Sequence, residues 1–193
     1  MRKMYFMLAS LMVSLASMAQ WTKPALQAQP MEVGRECYLY NVKAEGFLVG
    51  ANNYGTRASV GATLGHKVKI EQGTSEGSYY LTNYVLAGGM ANQWGYMFIE
   101  PFGLDNVYVD NTKDGKKDNQ FTFTDKGDHV YQIGLSPQNE NWKDELEALL
   151  GVIPERQDTR LYFAHPAGQD YVFENCLTDW IFVTTQEYED YVV

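Results

Sequence analysis

The residues best suited to chemistry in this sequence are flat rings set beside amides. Asn52-Asn53-Tyr54-Gly55 and Asn92-Gln93-Trp94-Gly95-Tyr96 form a near-repeat, each preceded by alanine and lying 40 residues apart. Recognition of a sugar needs an apolar ring face for the C–H side of a pyranose and planar amides or carboxylates for its hydroxyls. Tyr54 and Trp94 are therefore candidate carbohydrate-stacking residues. Matching rings can equally cap the two ends of a barrel, and both readings stand at this point.

Other chemistries find less support. Asp110-Asn111-Thr112-Lys113-Asp114-Gly115 followed by Asp118 alternates oxygen ligands around a glycine, as a calcium loop does. It lacks the closing glutamate, and Lys113, Lys116 and Lys117 oppose a cation, so a solvated hairpin loop with an Asp-Gly turn is the better reading. His66, His129 and His165 lie in or beside strands without ligand spacing. No glycine-flanked serine elbow, Cys-His partnership or phosphate-cradling glycine loop is present. Neither catalytic residues, metal nor cofactor are expected, and the chain reads as a non-enzyme.

The elements that must hold such rings in place lie beyond residue 19. Arg2 and Lys3 precede an apolar run from Met4 to Met18 with a small-residue exit at Ser17-Met18-Ala19, the layout of a signal peptide. A secreted or periplasmic protein beginning at Gln20 is expected, with no membrane insertion. Removing Arg2 and Lys3 from the 15 basic residues leaves 13 against 24 acidic ones, a net charge of −11. Such a surface repels phosphate backbones and anionic lipid, so nucleic acid and a membrane face are poor partners.

From Cys37 onward, three stretches repeat the same order of strands. They open on Tyr38-Leu39-Tyr40-Asn41, Tyr80-Leu81-Thr82-Asn83 and Tyr131-Gln132-Ile133-Gly134. They close on His66–Glu71, Asn119–Thr124 and Asp179–Thr184, where apolar and polar residues alternate. A period of about 40 to 55 residues made of short strands implies internal triplication, since one unit cannot bury its own apolar face. Second strands are expected at Phe47–Val49, Val107–Val109 and Leu161–Phe163, and short third strands at Ala58–Val60 and Tyr171–Phe173. The spacing of Trp142, Leu146, Leu149 and Leu150 predicts a helix inserted near 138–150. Residues 20–36 read as a leader and 37–193 as a single domain. Cys37 begins the first repeat and Cys176 comes just before the last strand of the third, two strands that a closed three-fold barrel makes neighbours; a disulfide and two buried thiols are the alternatives.

The run YLYNVKAEGFLVGANNYGTRASVG at Tyr38–Gly61 resembles the opening of ricin-type β-trefoil modules of exported Bacteroidetes proteins. The resemblance extends over about residues 36–188 in the layout of its repeats. It implies an all-β fold, a β-trefoil of about twelve strands in three pseudo-repeats, and sugar binding in shallow pockets. That family marks each last strand with Gln-x-Trp; here the corresponding positions are His66-x-Val68, Asn119-x-Phe121 and Thr178-x-Trp180, and the glutamine is absent. The family's sugar-binding aspartate corresponds to Asp110, with Asn111 beside it and Asn119 at the position of the completing amide. No aromatic residue lies between Asp110 and Phe121.

The expected function is that of a lectin-like module binding a glycan or polysaccharide through Asp110, Asn111, Asn119, Tyr54 and Trp94. The alternatives are a protein-interaction or protease-inhibitor trefoil acting on an exported protein through Ser136–Gly151, and a structural module of a larger exported protein.

Overall fold

The computed structural model describes residues 25–51, 56–86, 90–104, 106–115, 117–168 and 170–193. The signal-peptide expectation and Tyr54 lie outside these residues. Twelve strands are present among the described residues: β1 (Glu36–Asn41), β2 (Gly46–Ala51), β3 (Arg57–Gly61), β4 (Lys67–Gln72), β5 (Tyr79–Val85), β6 (Gln93–Ile99), β7 (Val107–Asn111), β8 (Phe121–Asp125), β9 (Tyr131–Leu135), β10 (Leu149–Gly151), β11 (Tyr162–Ala164) and β12 (Trp180–Val183). Among the described residues one α-helix, α1 (Thr185–Val192), follows β12.

The register shows the triplication directly. Val68 faces Cys37 in its own unit and Asn83 in the next. Phe121 likewise faces Tyr79 and Leu135, and Trp180 faces Tyr131 and Asn41. The first and last strands of each unit thus alternate around a ring that closes through β12 and β1, removing the open edges a sheet would otherwise expose. The pairs β2–β3, β6–β7 and β10–β11 form the three hairpins. Val68, Phe121 and Trp180 are all fully buried in one core cluster with Leu39, Leu81 and Ile133. The Trp180 indole N–H, which would be costly to bury unpaired, donates to the Leu150 carbonyl at 2.8 Å.

The same register corrects the sequence alignment of the repeats. Tyr131 is equivalent to Cys37 and Tyr79, not to Tyr38 and Tyr80, because each of the three faces the last strand of its own unit. It also makes Asn41, Asn83 and Leu135 equivalent, since each faces the last strand of the preceding unit in the ring. Asn41 Nδ2 donates to the Leu177 carbonyl at 2.7 Å, and its Oδ1 accepts the Ala44 N–H at 2.8 Å, closing the β1–β2 turn. The β5–β6 connection is longer, and the buried Asn83 amide has no hydrogen-bond partner among the described residues at either end.

Several expected elements move. The second strand of the middle unit is β6, which makes Val107–Asn111 the third; Leu161–Phe163 likewise overlaps the third strand of its unit, β11. Tyr171–Phe173 is not a strand; the chain turns there into a single 3-10 turn at Phe173–Asn175. The helix expected near 138–150 is absent, and turns occupy the segment up to β10. Two anchors hold it down. Asn139 bonds both the N–H and the carbonyl of Gln120, and Asn141 bonds Asp118 through its backbone N–H and its amide. Leu149 then enters a ladder opposite Gly134 and Ala164. A short isolated helix is marginal, and pairing to both neighbouring strands wins over its apolar stripe.

The helix that does form begins with a capping box. Thr184 Oγ1 accepts the Glu187 N–H, and the Glu187 carboxylate accepts from the Thr184 N–H. It lays Tyr188 flat on Tyr38, with ring centroids 3.7 Å apart, and covers the outer face formed by Tyr38, Tyr40, Phe47, Ile181 and Val183. The leader lies on the barrel through a bridge between Gln29 and Phe182 and another between Val33 and Ile70. Cys37 and Cys176 are free and buried in different clusters. Burial pushes their thiols up to about 12 and about 11 respectively. No helix among the described residues is long and apolar enough to cross a membrane.

Candidate functional site

Loops from two units converge on a cleft of about 380 Å³. The β6–β7 connection brings Gly103 and Leu104; the β9–β10 connection brings Trp142 and Glu145; Arg156 follows β10; and β11 with the loop after it supplies Phe163, His165, Ala167, Gly168, Asp170 and Tyr171. Phe163 is buried and stacks on Phe121 of the core, which fixes the floor. Trp142 is half-buried and donates its indole N–H to the Glu100 carbonyl at 3.3 Å.

The polar groups are held in pairs. His165 Nε2 lies 3.0 Å from Glu145 Oε2, while its Nδ1 accepts the Ala167 N–H at 3.0 Å. That second bond leaves the proton of a neutral ring on Nε2, pointing at the carboxylate. Arg156 donates to both oxygens of Asp170, at 3.2 and 3.0 Å, and its guanidinium lies over Tyr162 at 4.4 Å. Tyr171 is fixed at its phenolic oxygen, which accepts the His165 N–H at 2.8 Å. Gly168 is required beside it, because a Cβ there would run into the Tyr171 ring. Two rings, two carboxylates, a guanidinium and an imidazole therefore face one opening, a composition that can stack a small polar ring and bond its hydroxyls.

Of the sequence-predicted residues, Trp94, Asp110, Asn111 and Asn119 are described and lie outside this cleft; Tyr54 is outside the described residues. Trp94 sits on β6 on the outer wall of the barrel, edge-on to Tyr84 at 5.7 Å, with Lys69 Nζ 4.6 Å from its ring centroid. It borders a shallow hollow of about 250 Å³ with Tyr84, Glu36 and Lys67. Asp110 lies on β7, the third strand of its unit, and burial raises its carboxyl above the usual carboxylate range. Asn111 ends that strand, its Oδ1 accepting the Thr112 N–H at 2.8 Å and its buried Nδ2 without a partner among the described residues. Asn119 is buried, and its amide donates to the Lys113 carbonyl at 2.9 Å, tying down the hairpin loop. It lines a second cavity of about 380 Å³ with Thr74, Tyr80, Lys113, Gln120 and Glu140, which neither Asp110 nor Trp94 borders. There the Tyr80 ring is covered by Lys113 Nζ at 4.7 Å. The structure places Asp110 and Asn111 on the strand next to that of Trp94, but gathers none of these residues around a common opening.

No protein-family profile matches the chain, and a search of curated proteins finds no match. Solved structures do match. The designed 3-fold symmetric protein ThreeFoil aligns with 77% of this chain and 97% of its own at 16% identity, with a TM-score of 0.52. This chain is a β-trefoil. The trefoil is also similar to lysenin in its complex with phosphocholine, over 81% of this chain and 47% of lysenin at 12% identity (TM-score 0.54). A GH43 β-1,3-galactosidase matches 86% of the chain with 34% of its own length at 12% identity (TM-score 0.53). The trefoil thus spans about half of lysenin and a third of the galactosidase. At these identities the likeness is one of fold.

Proposed function

We propose that this trefoil is an exported, non-catalytic, ricin-type carbohydrate-binding module, and that the cleft between its second and third units receives the sugar. The observation that carries the reading is the cleft itself, where Trp142 and Tyr171 stand with Glu145, His165, Arg156 and Asp170 around one opening. A pyranose lies against the rings, and its hydroxyls bond the paired charges. Each carboxylate is engaged with a cationic or hydrogen-donating partner, an arrangement suited to accepting hydroxyl hydrogens rather than to shuttling protons. Arg2, Lys3 and the apolar run after them support export. Lysenin's complex with phosphocholine supports the idea that a fold of this kind presents sites for small polar ligands.

The test is a glycan array followed by calorimetry on the wild type, Trp142→Ala and Glu145→Gln, with thermal melts as the folding control. Binding lost in both folded variants supports the reading. If the wild type binds no glycan and instead captures an exported protein through Ser136–Gly151, the loop-docking alternative replaces it.

A further inference from the structure

Three hollows follow one another along the β9–β10 connection, and the cleft is the last of them. Gln138 and Glu140 line the cavity of about 380 Å³ that holds Asn119, Glu140 and Asn141 line a second of about 300 Å³, and Trp142 and Glu145 line the cleft. The first two share a wall, the ion pair of Lys117 with Glu140 at 2.5 Å. The β6–β7 connection keeps the same order, with Pro101 on the middle hollow and Gly103 and Leu104 on the cleft. The Trp142 indole bond to the Glu100 carbonyl, at 3.3 Å, ties the two connections together at that passage. Backbone geometry holds the Cα atoms of Glu140 and Trp142 within about 7 Å of each other, so the middle hollow lies next to the cleft.

The far cavity is built for hydrogen bonding. Asn119 and Gln120 are only 3% and 5% exposed, yet the fold uses one end of each amide. Asn119 Nδ2 donates to the Lys113 carbonyl at 2.9 Å, and Gln120 Oε1 accepts from the Thr74 N–H and hydroxyl at 2.8 and 2.9 Å. Among the described residues nothing bonds Asn119 Oδ1 or Gln120 Nε2, so two buried side chains on the cavity wall hold an acceptor and a donor in reserve. Polar groups so placed ask for a ligand or water to satisfy them.

We infer that a neutral, linear polysaccharide lies along this row, with one sugar in the cleft and the next sugars of the same chain over the middle hollow and against the Asn119 and Gln120 amides. The inference rests on the cleft holding a sugar. A chain of hydroxyl-bearing rings meets a succession of polar hollows, each adding contacts at little further entropic cost once the first ring is held. Charge selects the neutral class. Lys113 is paired with Glu71, Lys117 with Glu140, Arg156 with Asp170 and His165 with Glu145, which leaves the row no surplus of positive charge for a uronate or sulfate. The formal charge of −9 on the whole chain repels such polymers further.

The test is calorimetry with the dimers and hexamers of cello-, laminari-, manno- and xylo-oligosaccharides, and with hexagalacturonate as the charged probe. The proteins compared are the wild type, Trp142→Ala and a Lys117→Ala/Gln138→Ala/Glu140→Ala variant, whose three altered side chains are exposed, so that folding is spared. The expected result is that in one neutral series the wild type binds the hexamer about tenfold or more tightly than the dimer. The triple variant should lose most of that gain while keeping the dimer, and Trp142→Ala should lose both lengths. A long chain offers a single site several registers, and a gain of that origin survives in the triple variant. An undiminished gain there, or equal wild-type affinity for dimer and hexamer, therefore overturns the polysaccharide inference and leaves the sugar cleft standing. Hexagalacturonate binding as tightly as the neutral hexamer overturns it too, as does binding in none of the four series. If a glycan array is also blank, the sugar reading falls with it.

Discussion

His165 Nε2 lies 3.0 Å from Glu145 Oε2, and this contact joins the β11–β12 connection to the β9–β10 connection across the cleft. It holds in place two loops that carry Trp142 and Tyr171, the aromatic residues above the Phe163 floor. The rigid core beneath comes from register: the cleft floor, Phe163, stacks on Phe121, one of the three equivalent core residues.

The first prediction concerns that core. Trp180→Ala removes a fully buried indole and leaves the Leu150 carbonyl without its donor, and is expected to cost about 3–5 kcal/mol in urea unfolding. Trp180→Phe should cost less, since it keeps most of the ring volume. Alanine costing under about 1 kcal/mol would contradict a common three-fold core.

A second prediction follows from Asn41 and Asn83 occupying equivalent positions with unequal partners. Asn83→Leu is expected to be neutral or stabilising, because it removes an unpartnered buried amide and copies the third unit, where Leu135 stands. Asn41→Leu strands the Ala44 N–H and the Leu177 carbonyl and should cost about 1–3 kcal/mol. Equal losses in chemical denaturation would contradict this.

The legible part of the fold was the part written in alternation. Val68, Phe121 and Trp180 occupy corresponding places on last strands whose apolar residues recur every second position, a pattern a strand with one buried face imposes. β6 was missed because Asn92-Gln93-Trp94-Gly95 reads as a polar loop; in the structure Gly95 packs against the backbone of β7, which calls for a residue without a side chain, and Met97 and Ile99 face the core. The apolar stripe of 142–150 was genuine, but its last residues serve a ladder with Gly134 and Ala164, and only tertiary pairing reveals that. α1 had a readable signal, the Thr184-x-x-Glu187 capping box. The cleft had almost none, since its residues come from separate connections between positions 103 and 171. His165 and Trp142 were visible only as a strand histidine and a member of a helical stripe.

A third prediction uses pH. His66 is buried, accepts the Gly50 N–H through Nδ1, and is pushed down from its ordinary 6.5 to about 4 by burial. The unfolded chain therefore binds the proton first. Stability is complete above about 6.5 and is lost as pH falls toward about 4, by on the order of 1–3 kcal/mol. His66→Gln retains an acceptor and should flatten that segment of the stability–pH curve; an unchanged slope would assign it to other groups.

A fourth prediction concerns the thiols. With Cys37 and Cys176 buried in separate clusters and their thiols raised by burial, neither should react with a thiol reagent at neutral pH in the folded state. Both should react after denaturation, and a reductant should leave the melting temperature unchanged. An intact mass two hydrogens light would show a bridge instead.

A fifth prediction separates the cleft from the scaffold. Gly168→Ala pushes a methyl group into the Tyr171 ring and should weaken glycan binding several-fold while changing the melting temperature little, because both residues lie on a surface loop. Unaltered binding would remove Tyr171 from the site.

The most direct measurement is a glycan array read in parallel on wild type, Trp142→Ala and Trp94→Ala, each checked for folding. The cleft account predicts that wild type and Trp94→Ala retain the same glycan signals and that Trp142→Ala loses them. Loss in Trp94→Ala with retention in Trp142→Ala would move recognition to the outer wall of the barrel and contradict the account.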